Sequence, residues 1–132
     1  MAAEVLTILQ ITCELSGKLR DEFHTWRTFE KTFEQLAVHL GLTCCTLHQI
    51  QEDEGKCPGQ YSGLEEYISM NLTTCEDLQA LVKKCTKHSA PDHKSIRDYL
   101  TFRWKGKTFE EYLGLLKTFH RPLSFDVQVK TL

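Results

Sequence analysis

The chain has 132 residues, 41% of them hydrophobic and 26% charged, with a formal net charge of -2. A chain of this size is one domain, able to remove roughly two thirds of its unfolded surface from water without disulfides or metals. It carries no Lys/Arg excess to hold a polyphosphate and no apolar run near the ~20 residues that span a bilayer, so neither nucleic acid nor membrane is an expected partner.

The first seventeen residues include Glu4 and no early Lys or Arg, unlike the basic start of a secretory signal, so a cytoplasmic protein is expected. Val5, Ile8, Leu9 and Thr12 have helical spacing, while Leu6, Ile11 and Cys13 make the segment apolar on most sides. Residues 1–17 are therefore read as a helical extension that something must cover. Leu19, Phe23, Trp26, Phe29, Phe33, Leu36, Ala37 and Leu40 continue at helical spacing, and no Gly or Pro falls within 18–40, which fits one long helix or two.

Gly41 reads as the end of that run. Leu47 and Ile50 predict a short helix over 43–51, and the Gly and Pro of "EDEGKCPGQYSG" predict a loop. Leu64, Tyr67 and Ile68 suggest another short helix, closed by Asn71. Thr73 and Glu76 have capping-box spacing, opening a helix whose inward stripe is Leu78, Leu81, Val82 and Cys85. Pro91 suits a first helical turn, Ile96, Tyr99 and Leu100 form the next apolar face, and Gly106 breaks that helix. Thr108 and Glu111 repeat the capping spacing ahead of Phe109, Tyr112, Leu113 and Leu116. The final "PLSFDVQVKTL" alternates without a strand partner and is expected to be an extended tail.

Three of the six cysteines, Cys13, Cys75 and Cys85, fall within helical patterns, and Cys44 and Cys45 are adjacent. Reduced thiols packed as small hydrophobes are the expected state. The sequon at Asn71 is then unused.

Phe33, Leu36, Ala37, Leu40, Gly41 and Leu42 form an aromatic, two residues, Leu-Ala, two residues, Leu-Gly-Leu pattern. With a helix over 43–51, a loop, a helix over 64–70, "TTCEDLQALVKKC" and "PDHKSIRDYL", residues 33–100 resemble the death-domain family. The resemblance implies an all-α fold, a six-helix antiparallel bundle of death-fold type with extra N- and C-terminal helices. Its division would be an extension over 1–17, the bundle over 18–101, and a helix with an extended tail over 102–132. The expected core is Phe33, Leu36, Leu40, Leu42, Leu47, Ile50, Leu64, Tyr67, Ile68, Leu78, Leu81, Val82, Ile96 and Leu100.

Charges segregate: Glu52, Asp53, Glu54, Glu65 and Glu66 cluster in one region, and Lys83, Lys84, Lys87, Lys94 and Arg97 in another. Solvated faces and helix-dipole complementarity are the ordinary explanation. The resemblance implies instead a non-enzymatic adaptor or regulator that docks to death-fold proteins, or self-associates, through these opposed patches in apoptotic or innate-immune signalling. No cofactor is expected.

Two other chemistries compete. "LAVHLGLTCCTLHQI" also looks like a helix-turn-helix in which Thr46, His48 and Gln49 reach base edges, but that helix has no Lys or Arg and Glu52, Asp53 and Glu54 follow it, repelling phosphates. Cys45 with His48 and Cys85 with His88 are spaced to share a helical face and together to complete a structural zinc site, with Cys57, Cys75 and His93 as further ligands, although neither pair sits in a Cys-rich knuckle. No nucleophile elbow, phosphate-cradling loop or zinc-protease motif is present, and the carboxylate pairs Glu65/Glu66, Glu76/Asp77 and Glu110/Glu111 are sequence neighbours that diverge on a helix. An enzyme is not expected.

Overall fold

A computed structural model of the chain describes residues 3–89 and 95–130. Among the described residues it is all-helical: α1 (Ala3–Trp26), α2 (Lys31–Lys56), a 3-10 turn (Ser62–Leu64), α3 (Glu65–Cys85), α4 (Ile96–Trp104) and α5 (Gly106–Lys130). None of these helices is long and apolar enough to cross a membrane.

The long helices close a ring in which α1 touches α2 and α3, and α5 touches the same two. Two apolar clusters fix their directions. The larger joins Leu19, Phe23 and Trp26 of late α1 to Phe33, Leu36 and Leu40 of early α2, Leu78, Val82 and Cys85 of late α3, and Phe109, Leu113 and Leu116 of early α5. The smaller joins Leu9 and Cys13 to Leu47 and Ile50, to Leu64 and Ile68, and to Leu123. Thus α1 and α3 run one way, and α2 and α5 the other. Thr12, Ser16, Thr43, Asn71 and Thr74 are buried between the two clusters in helical order, and Thr12, Ser16 and Thr74 return their hydroxyls to their own helices.

The apolar stripe over 19–40 resolves into two helices. Arg27 and Phe29 form a turn on the last carbonyls of α1, donating to His24 and Trp26, and Glu30 is extended at φ -154° and ψ 136°, restarting the chain as α2. The expected break at Gly41 does not occur. α2 runs through it, because Arg20 of α1 lies across that position, and a Cβ on Gly41 would come within 3.3 Å of Arg20 Cδ. Glycine here permits close helix approach rather than ending a helix.

Other boundaries also shift. α1 crosses residues 17 and 18 without interruption, so the N-terminal segment is part of the bundle rather than an extension. Asn71 and Thr73 lie inside α3, where Asn71 Nδ2 donates to the Tyr67 carbonyl and the Thr73 hydroxyl to that of Ser69. Neither one ends or starts a helix. The expected extended tail is helical to Lys130, with Pro122 inside α5. Pro91 lies outside the described residues.

Among the described residues, the ring of four long helices with the short α4 against it does not reproduce a six-helix death-fold arrangement. Of the expected core, Phe33, Leu36, Leu40, Leu47, Ile50, Leu64, Ile68, Leu78 and Val82 are buried, and Leu81 is partly so. Leu42, Tyr67, Ile96 and Leu100 are exposed instead. For Leu42 the reason is the continuity of α2, which carries it to the face opposite Leu40 and Thr43.

Candidate interaction face

α4 is nine residues long and is attached by its inner face alone. Ser95 caps it, its hydroxyl accepting from the Arg97 amide at 3.2 Å. Asp98 is fully buried and accepts from the His88 amide at 3.0 Å and the Ser89 hydroxyl at 2.5 Å, tying α4 to the turn after α3. One turn later Phe102 enters an aromatic cluster, with ring centroids 4.6 Å from Trp26, 5.0 Å from Phe33 and 5.5 Å from Phe109. Tyr99 adds a half-buried contact, its ring 4.9 Å from Phe29.

The outer face is apolar. Ile96, Leu100 and Trp104 are 78%, 57% and 86% exposed, and their four-residue spacing aligns them as one ridge. Arg97 and Arg103 are exposed on either flank of that ridge, and Lys105 and Lys107 follow its C-terminal end. An isolated exposed apolar side chain on a protein surface is ordinary, but three in register on one short helix form a contiguous patch. The patch continues past Tyr99 to Phe29, itself exposed at the α1–α2 turn.

The expected inward face of α4 is thus the outward one. Ile96 and Leu100 had the larger apolar stripe, but Asp98 and Phe102 are the residues held by the bundle. The apolar face read from Ile96, Tyr99 and Leu100 leaves out Phe102 and Trp104: the signal for Trp104 is its four-residue spacing from Ile96 and Leu100, and for Phe102 its four-residue spacing from Asp98 on the opposite side.

Two grooves accompany the ridge. One of about 370 Å³ runs between α3 and α5 and is lined by Glu66, Met70, Asp77, Leu115 and Phe119. Another of about 520 Å³ lies between α1 and α2, with Arg20, His24 and Arg27 along one wall and Val38 and Leu42 on the other. His120 sits between α2 and α5, its Nε2 3.0 Å from the Thr46 hydroxyl. Burial holds His120 below its usual range, helped by nearby His39, and burial and Lys117 do the same to His39.

The expected acidic patch is divided. Glu54 is buried and accepts from the Gly59 and Tyr61 amides at 2.9 and 2.7 Å, so it clamps the loop after α2 and offers nothing to a partner. Asp53 accepts from the Tyr61 hydroxyl at 2.6 Å and from Gln49 at 2.8 Å, while burial raises the Tyr61 phenol well above its ordinary range. Lys130 of α5 completes this corner by donating to the Gln60 carbonyl and lying 5.5 Å from the centre of the Tyr61 ring. Glu52 lies 3.5 Å from His48, Glu65 is half-buried in the first turn of α3, and Glu66 reaches the α3–α5 groove. Lys83 and Lys84 are exposed near the end of α3 and Lys87 in the turn beyond it. Lys94 and His93 lie outside the described residues.

The helix-turn-helix reading fails on geometry. α2 has no turn at Gly41, Thr46 faces His120 on α5, and Gln49 is engaged with Asp53. The zinc pairs are also separated by environment: Cys45 and His48 are exposed on α2, Cys85 is buried at the end of α3, and His88 is exposed in the turn that follows. Among the described residues no group of three or more His, Cys, Asp or Glu side chains converges to hold a metal ion.

Comparison with known proteins gives one finding. The family described as pigment biosynthesis cluster protein PigL N-terminal matches residues 1–131. No curated protein and no solved structure matches the chain. The family match overturns the resemblance to the death-domain family, which rested on leucine spacing common to many helical bundles, and with it the role of an apoptotic or innate-immune adaptor. Because the match spans nearly the whole chain, this helical bundle belongs to the pigment biosynthesis cluster protein PigL N-terminal family.

Proposed function

We propose that the chain is a non-catalytic docking module whose α4 ridge seats an amphipathic helix carrying Asp or Glu beside its own apolar stripe, in the service of a pigment biosynthesis cluster. The observation that carries this reading is the ridge of Ile96, Leu100 and Trp104, flanked by Arg97 and Arg103 and anchored from behind by Asp98 and Phe102. A rigidly held ridge loses little conformational freedom on binding, and large aromatic and Arg side chains are the usual energetic anchors of interfaces. The flanking guanidinium groups select for carboxylates, which favours an acidic helix over a basic one. A reducing, cytoplasmic setting accords with six cysteines carried as thiols.

The test uses the two tryptophans, because Trp26 is fully buried and Trp104 nearly fully exposed. A helical peptide with a leucine stripe flanked by Glu should shift Trp104 emission to shorter wavelength, with binding that weakens as salt rises. The same peptide flanked by Lys should not. Vesicles of anionic phospholipid are the third arm. A shift with vesicles but not with the Glu peptide, or an equal response to both peptides, overturns the proposal.

A further inference from the structure

Cys13 of α1 and Cys44 of α2 face one another, with their sulfurs 3.9 Å apart. The contact is reciprocal: Cys13 Sγ lies 3.6 Å from the Cys44 carbonyl oxygen, and Cys44 Sγ lies 3.5 Å from that of Cys13. The two backbones therefore bracket the thiol pair. Gly17 lies alongside the pair, where a Cβ would make ordinary contact 3.6 Å from Cys44 Sγ and 4.0 Å from an Arg20 guanidinium nitrogen. Cys13 is buried, whereas Cys44 is half-exposed with that guanidinium nearby.

We propose that Cys13 and Cys44 form a reversible intramolecular disulfide under hydrogen peroxide, a redox clamp between α1 and α2. A disulfide needs sulfurs about 2.05 Å apart, which side-chain rotation supplies when the flanking backbones already face each other. The asymmetry assigns the roles. Cys44, the more solvent-accessible of the two, attacks one peroxide oxygen, breaking the O–O bond to give a sulfenic acid, while its proton and the released hydroxide form water. Cys13 sulfur then attacks Cys44 sulfur and breaks its S–O bond, and the Cys13 proton leaves with that hydroxide as a second water. The two sulfurs together lose two electrons, and these reduce the peroxide. Burial, with Cys44 beside it, pushes the Cys13 thiol up to about 12, so Cys13 is not the thiol that meets peroxide first; it reacts only with a Cys44 sulfur already held against it.

The consequence is mechanical. α1 and α2 make the most extensive helix contact in the molecule, and the bond would close the chain between residues 31 positions apart, across the α1–α2 turn that also carries Phe29 beside the α4 ridge. Crosslinking that hairpin raises thermal stability by constraining the unfolded chain.

The experiment treats the full chain with hydrogen peroxide, alkylates the remaining thiols, and maps non-reduced peptides by mass spectrometry. The expected product joins the Cys13 and Cys44 peptides, is lighter by two hydrogens, melts at higher temperature, and reverts with dithiothreitol. Cys45→Ser should leave this linkage intact, and Cys13→Ser should leave Cys44 as a sulfenic acid captured by dimedone. Should Cys13→Ser fail to fold, the wild-type peptide map decides alone. Cys44 joined to Cys45, disulfides only between separate chains, or Cys13 fully alkylated after the exposed Cys45 and Cys57 have oxidised would each overturn the proposal.

Discussion

The indole of Trp26 and the ring of Phe102 lie with centroids 4.6 Å apart, joining the last turn of α1 to the middle of α4 across most of the chain. Trp26 is held in turn by its own ring N–H, which donates to Glu22 at 3.1 Å. This pair is the main apolar attachment of the short helix that displays the outer ridge. A helix of nine residues is not stable in water by itself, so α4 exists because its inner face is packed. Replacing Phe102 by Ala should therefore cost about 3–5 kcal/mol in denaturant unfolding, within the range for truncating a buried aromatic. It should also raise amide exchange across residues 96–104 before the rest of the bundle opens.

Asp98 offers a separate handle on the same helix. Its carboxylate satisfies the His88 amide and the Ser89 hydroxyl, and that hydroxyl in turn accepts from the Ser95 amide at 3.0 Å. Asp98→Ala removes the buried acceptor from two part-buried donors and should cost about 1–3 kcal/mol. Asp98→Asn keeps one acceptor oxygen and should cost less. Equal losses from the two variants, read by chemical denaturation, would show that these hydrogen bonds do not hold α4.

The opposite end of the bundle depends on Glu54. Its two oxygens receive the Gly59 and Tyr61 amides, and Gly59 has φ of +87°, a conformation that other residues adopt only at a cost. Glu54→Ala should lower stability by about 1–3 kcal/mol and deprotect the Tyr61 amide in hydrogen exchange. Gly59→Ala should lower it by roughly 1 kcal/mol through backbone strain, although a Cβ there meets no neighbour.

His39 and His120 predict an acid-sensitive α2–α5 interface. Both are held below the usual 6.5 by burial, with Lys117 acting on His39 and His39 on His120. In the unfolded chain each binds its proton at higher pH than in the bundle. Their contribution is thus complete above about 6.5 and is lost as pH falls through that value toward the lower folded one. Melting temperature should drop over that window, and His120→Gln should flatten the drop. An unchanged pH profile in that variant would remove His120 from the account.

Much of the architecture was legible in the residues. The stripes at Leu19 to Leu40 and at Leu78 to Cys85 marked helices and their inward faces, because burial at helical spacing leaves a periodic trace. What periodicity could not supply was the partner of each face. Gly41 looked like a helix end because glycine often is one, yet here its missing side chain admits Arg20 from a neighbour far along the chain. Glu54 looked like surface charge, but the amides it binds come from a loop whose path is set only after folding. α4 is the sharpest case. Two faces of one short helix share the same spacing, and the more apolar one points outward because a carboxylate and one aromatic ring hold the other. The expected acidic patch loses Asp53 and Glu54 for a related reason, since spacing along the chain does not show that their oxygens are engaged within the fold.

The most direct test of the docking reading compares wild type with Leu100→Glu/Trp104→Glu for binding the Glu-flanked helical peptide, with thermal melting measured on both. Neither residue is buried, so melting should stay within about 0.5 kcal/mol of wild type. Affinity should fall at least about tenfold, or ~1.4 kcal/mol, from the loss of the ridge and the repulsion between carboxylates. Equal affinity in the two proteins at matched stability would contradict α4 as the docking face.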